Sequence, residues 1–278
     1  MNANRDWVSM LLKALVWLSA LITAGVFLML VGYILIKGVP NLKPELFAWT
    51  YTSENVSMTP AIVNTILMTL LSLLMAAPLG VFAAVYLVEY ARRGNRLVSL
   101  VSVTAETLSG IPSIVYGLFG MLFFLVQLRW GYSLLAGACT MAIMILPLIM
   151  RTTQEALIAV PDTYREGSFG LGAGRLRTVF RVVLPSAVPG ILSGVILAVG
   201  RVVSETAALL YTAGSTARIP TSVFSSTRTL AMHMYVLSSE GLYINEAYAT
   251  ATVLLIVVAL INAASSFLAR RVENQHAK

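Results

Sequence analysis

Apolar residues in this chain lie in long uninterrupted runs, neither alternating nor recurring every third or fourth position. Crossing a hydrocarbon layer of about 30 Å takes roughly 20 helical residues. Five runs reach that length: 14–36, 61–88, 107–128, 130–150 and 247–269. A sixth, 182–200, falls just short and continues past a charged turn into 206–217. Six transmembrane helices are therefore predicted. A transmembrane barrel requires alternating segments of about ten residues, and none occurs here. The pattern reads as an all-α integral membrane protein. The first run, 23 residues long, exceeds the roughly 7–15 of a signal-peptide core, so it reads as a retained helix.

Three segments follow from these runs. Residues 1–60 hold the first helix and an outward segment with Pro40, Pro44 and Pro60. Residues 61–270 form the core, with a polar segment at 161–185, and 271–278 form a tail. Within 214–246, LAMHMYVL at 230–237 suits a short helix on the membrane surface, although the sequence does not decide that.

Composition agrees with the runs. The chain is 58% hydrophobic and 11% charged, with a mean hydropathy of +0.83, against about 25% charged residues in a soluble domain. The single cysteine, Cys139, lies inside an apolar run and reads as a small filler. The net charge of +7 is carried in the connections between spans. With the N-terminus placed in the cytoplasm, thirteen Lys and Arg fall on that side, among them Arg92, Arg93, Arg96, Arg151, Arg165, Arg175, Arg177 and Arg181. Five fall on the other: Lys37, Lys43, Arg129, Arg218 and Arg228. The positive-inside rule then puts both termini in the cytoplasm. No contiguous basic face is left for nucleic acid.

Residues 161–185 read PDTYREGSFGLGAGRLRTVFRVVLP. Pro161 ends the preceding helix. Thr163 and Glu166 have capping-box spacing, and Gly170, Gly172 and Gly174 supply a sharp turn. A second short helix is expected over 175–184, with span 5 starting near Pro189. Two half-apolar helices facing the cytoplasm would suit a protein partner.

Charge inside a span is costly, by at least roughly 2.5–3.5 kcal/mol on insertion scales, and marks function. Arg201 lies 12 residues past Pro189, about 18 Å along a helix. Glu205 follows at i+4, within pairing distance on one face. A guanidinium offers bidentate geometry to phosphate-like oxygens, and Ser204, Thr206 and Thr212 add hydroxyls. A structural ion pair accounts for the same two residues. In ETLSGIPSIVYGLFG (106–120), Gly110 and Pro112 should break a helix and free backbone groups. Glu106, just before the break, either lines a pathway or satisfies the kink.

An intramembrane protease or metalloenzyme lacks ligands in the spans: His233, His276, Asp6 and Asp162 all lie outside them. No phosphate-cradling loop followed by Lys-Ser/Thr occurs, so ATP hydrolysis is not expected on this chain. A secondary anion transporter would show inverted repeats and coupling carboxylates; no convincing repeat is visible.

The polar segment supplies Glu166-Gly167-Ser168, three residues, Gly172, nine residues, then Val182-Val183-Leu184-Pro185. This resembles the coupling motif of ABC importer permeases: Glu-Ala-Ala, three residues, Gly, nine residues, Ile, any residue, Leu-Pro. It departs at Gly167, Ser168 and Val182. GRVVSETAALLYTAG (200–214), LSGIPSIVYGLFG (108–120) and APLGVFAAVYLVEYA (77–91) resemble the phosphate importer permeases of the PstA type. The resemblance covers about 60–270 and implies a type I ABC importer permease fold in a bacterial plasma (inner) membrane. It implies a transport subunit rather than an enzyme, moving phosphate inward by alternating access. In that family the arginine and glutamate matching Arg201 and Glu205 are associated with phosphate transport, and the coupling helix docks on the ATPase. The implied partners are a second permease (PstC type), two ATPase subunits (PstB type) holding ATP and Mg, and a phosphate-binding protein (PstS type), all against membrane lipid. Sulfate, molybdate or phosphonate remain alternative cargoes.

Overall fold

Lipid offers no hydrogen-bond partner to a backbone, so each apolar run closes its own bonds as a helix. The computed structural model describes residues 3–92, 94 and 96–276, with no strand among the described residues. Helix α1 (Ala3–Gly38) leads through two 3₁₀ turns to α2 (Thr59–Val85), which a π-helical turn, Tyr86–Tyr90, extends. Then follow α3 (Arg96–Ser109), α4 (Ser113–Gly120) with a π-helical continuation Met121–Gln127, and α5 (Leu134–Ile158). Helices α6 (Asp162–Gly170) and α7 (Arg175–Thr178) precede α8 (Leu184–Val203), α9 (Ala207–Thr212), α10 (Leu230–Glu240) and α11 (Ile244–His276).

Among the described residues, five helices are long and apolar enough to cross a membrane: Trp7–Asn41, Thr59–Tyr90, Leu134–Ile158, Arg175–Val203 and Ile244–Ala264. The remaining span is broken. Val98–Ser109 and Ser113–Gln127 meet at 101° across Gly110 and Pro112, the break the sequence predicts.

Helix α5 is the hub. Its apolar window is 67% buried, whereas α1 shows none of its window buried and faces lipid. Without a hydrophobic force between helices in lipid, close van der Waals packing has to hold the bundle. Small residues provide it: Gly190 and Gly194 of α8 sit against Ala156 and Thr152 of α5, and Gly80 of α2 sits against Ile149. Cys139 is half-buried beside Met75.

Three expectations are corrected. Span 5 does not begin near Pro189, nor is 175–184 a separate helix: Arg175–Val203 is one helical run. Inside that run the π-helical turn Val179–Val183 directly precedes Pro185, which has no N–H to give the regular ladder. The Thr163/Glu166 capping box does not form, because α6 starts earlier, with Pro161 at the N-cap and no side-chain cap bond. The helix over 230–237 is not superficial; Leu230, Ala231, Met232, His233 and Leu237 are buried.

Candidate functional site

Helices α4 and α9 lie side by side. A Cβ on Gly117 of α4 would stand 2.7 Å from Ala208 Cα of α9, and one on Gly120 would meet Thr140 and Thr212. Only glycine at these positions allows the two backbones to approach so closely. Helix α8 ends at Val203, and residues 204–206 link it to α9. Arg201, half-buried, occupies the last turn of α8, where the helix dipole favours a cation.

The expected Arg201–Glu205 pair is absent: no carboxylate lies within 4.0 Å of Arg201 among the described residues. The reason is the break. Glu205 no longer shares a helix face with Arg201; its Oε1 accepts the Ala208 N–H at 3.1 Å, capping α9 from a buried position. The hydroxyls divide as well. Ser204 Oγ donates to Gly200 O at 2.8 Å and Thr212 Oγ1 to Ala208 O at 2.8 Å. Thr206 Oγ1 forms no hydrogen bond among the described residues and stays free to meet a ligand.

Sequence reading missed Tyr116. Its hydroxyl donates to Leu108 O at 2.7 Å, a second bond to a carbonyl that already accepts the Ile111 N–H at 3.1 Å, and so braces the break before Pro112. The phenol is buried.

Glu106 is exposed and pairs with Arg151 of α5. It lines a cleft of about 920 Å³ with Arg151, Glu155, Glu89, Asp162 and Arg165, which none of residues 201–206 lines. Arg151 bridges Glu106 at 3.4 Å and Glu155 at 3.2 Å. These exposed pairs are worth little in stability.

The α6 end of the bundle carries the segment that resembles a coupling motif. Glu166 and Gly167 are exposed, Ser168 is half-buried, and Leu184 and Pro185 are half-buried at the start of α8. Gly172 turns the chain with φ +80, and nothing lies within 4 Å of its missing Cβ. Glycine is therefore required there by backbone conformation rather than by space. Tyr164, Phe169, Leu171 and Leu176 project apolar surface, Leu171 at 91% exposure. Ser168 Oγ and Thr178 Oγ1, 2.8 Å apart, join α6 to α7.

Arg165, counted in the charge balance only, proves to be the anchor. Its Nη2 bonds Glu89 Oε1 at 2.7 Å and Leu157 O at 2.9 Å, Nη1 bonds Val160 O at 2.8 Å and Asp162 Oδ1 at 3.2 Å, and Nε bonds Glu89 Oε1 at 3.2 Å. One guanidinium thus ties α6 to the ends of α2 and α5. The sequence hint was Glu89, an acid closing a long apolar run, since a buried carboxylate needs a partner.

The family described as "Binding-protein-dependent transport system inner membrane component" matches residues 76–276. Over 285 residues the chain is 35% identical to the probable ABC transporter permease protein YqgI of Bacillus subtilis, covering 95% of this chain and 96% of that protein. It is 35% identical over 211 residues to phosphate transport system permease protein PstA 1 of Mycobacterium tuberculosis, strain H37Rv, covering 75% of this chain and 68% of the relative. A solved bacterial ABC transporter involved in import of the acidic polysaccharide alginate superposes with a TM-score of 0.68 at 17% identity, covering 96% of this chain and 99% of that one. The inward-facing MetNI methionine ABC transporter gives 0.58 at 21% identity, covering 86% and 96%. At these identities the solved structures speak to fold alone.

Proposed function

The chain belongs to the family of binding-protein-dependent transport-system inner-membrane components, and from that premise we propose that it carries inorganic phosphate inward. Members are multi-pass permease subunits of ABC importers, not enzymes; ATP hydrolysis belongs to a separate subunit, and a substrate-binding protein works with them. The observation that carries the phosphate reading is Arg201: a half-buried guanidinium without a carboxylate partner, in the last turn of α8 before the chain breaks into α9. Non-helical backbone at membrane depth is tolerated where it lines a cavity, and discontinuous helices are where transporters bind cargo. A planar five-donor cation suits a tetrahedral oxyanion, with Thr206 and the Tyr116 ring beside it. Relatives named as phosphate permeases favour phosphate among the oxyanions.

In this reading both termini and α6 face the cytoplasm. ATP and Mg bound by two partner ATPases (PstB type) close those subunits on α6; Arg165 passes the movement to α2 and α5. The spans rock against a sister permease (PstC type), and phosphate from a binding protein (PstS type) passes Arg201. The test is radiolabelled phosphate uptake in cells lacking and then regaining this chain, with excess unlabelled phosphate, sulfate, molybdate or phosphonate. Phosphate alone should compete. Competition by sulfate or molybdate at similar concentration would reassign the cargo and leave the importer role standing.

A further inference from the structure

Some 25 residues of α2 separate Glu89 from Asn64, about 37 Å along the axis. At that far end the chain delivers a second arginine into the interior. Arg228 is 4% exposed, and its guanidinium carbon lies 5.1 Å from the centroid of the Tyr51 ring. Tyr51 in turn meets His233, in the first turn of α10, edge to face at 6.0 Å. No carboxylate lies within 4.0 Å of Arg228 among the described residues, and its buried Nε has no acceptor. A buried cation left in this condition is costly unless something neutralises it.

The surroundings add polar groups and no negative charge. Asn64 Nδ2 donates to Arg228 O at 3.2 Å and Arg218 O at 3.0 Å, while its Oδ1 is unsatisfied. Thr227 Oγ1 and Thr229 Oγ1 are buried without partners too. Helix α10 starts here with Thr229 as N-cap, no side-chain cap bond and no acidic residue in its first turn. A helix N-terminus carries roughly half a positive charge, so the guanidinium and the helix end put like charge on one buried spot. His233 adds no third charge: burial and the nearby Arg228 push its pKa down to about 3, against a smaller opposing effect of the Val56 backbone, leaving a neutral ring.

We propose that Arg228 and the α10 N-terminus form a site for one small inorganic anion, separate from Arg201, with Thr227 and Thr229 as further donors. The anion neutralises the guanidinium and fastens the segment before α10 to α2, to which Leu230 N–H already bonds through Thr65 Oγ1 at 2.8 Å. Chloride and dihydrogen phosphate share the required chemistry.

The test is thermal denaturation of the purified permease–ATPase complex in gluconate at constant ionic strength, titrated with chloride or with inorganic phosphate. The wild type should show a saturable rise in midpoint, Arg228→Met should lose it, and Arg201→Gln should keep it. A rise with either anion supports a general anion site, and a rise with phosphate alone supports a second cargo station. An unchanged wild-type midpoint, or an equal rise in Arg228→Met, overturns the proposal. Should Arg228→Met fail to assemble, Thr227→Val/Thr229→Val keeps the guanidinium and should raise the half-saturating anion concentration about tenfold; an unchanged value would overturn the donor assignment. Because Arg201→Gln tests the cargo site separately, either assignment can fail without the other.

Discussion

Replacing Arg165 with methionine should disconnect ATP hydrolysis from transport. The Arg165 side chain is 15% exposed and that of Glu89 8%, with their charged atoms 2.7 Å apart. Removing one member of a buried pair leaves the other unpaired in low dielectric, a loss of about 3–5 kcal/mol. Leu157 O and Val160 O lose their donors as well, about 1 kcal/mol each. Even about 3 kcal/mol shifts an equilibrium between latched and unlatched α6 by a factor above 100. Reconstituted complex should keep its ATPase rate in Arg165→Met while phosphate moved per ATP falls about tenfold or more. The double change Arg165→Met/Glu89→Leu separates mechanics from stability: two apolar groups should recover much of the stability without recovering coupling. Tight coupling in the single variant, or recovery of coupling by the apolar pair, would show that the guanidinium does not transmit movement.

Other consequences follow from the same geometry. Gly172→Ala forces a Cβ into φ +80, about 1–2 kcal/mol of strain, and should raise amide exchange over 168–174 and weaken co-purification of the ATPase. Gly167→Ala, inside α6 with nothing within 4 Å, should instead lower exchange there, since alanine is about 1 kcal/mol better than glycine in a helix. Gly120→Ala places a methyl group on Thr140 and Thr212 and should depress the thermal midpoint of the complex and its uptake together. His233 has a folded pKa near 3 against an ordinary 6.5, so the unfolded chain binds a proton that the folded one refuses. Stability should therefore fall as pH drops from about 6.5 towards 3, and His233→Phe should flatten that slope in melting curves.

Much of the architecture is legible because lipid removes choices: a run of twenty apolar residues has to be a helix. The break at Gly110 and Pro112 is likewise local chemistry, as is the turn at Gly172. What escapes the sequence depends on contacts distant along the chain. The i+4 spacing of Arg201 and Glu205 implies a pair only if the helix continues, and it stops between them so that Glu205 caps α9. Glu106 stands close to the Gly110–Pro112 break in the chain, yet it turns to Arg151 on α5. Arg165 reads as one more basic residue until the fold brings Glu89, 76 positions away, against it. Arg228 falls in a polar connection between spans, and the fold buries it against Tyr51, far away along the chain.

The role of Arg201 is decided by one measurement: radiolabelled phosphate uptake in cells whose own permease is replaced by Arg201→Ala. Uptake should be abolished while the variant still inserts and still co-purifies with its ATPase. Normal uptake would contradict the assignment of the guanidinium to the cargo.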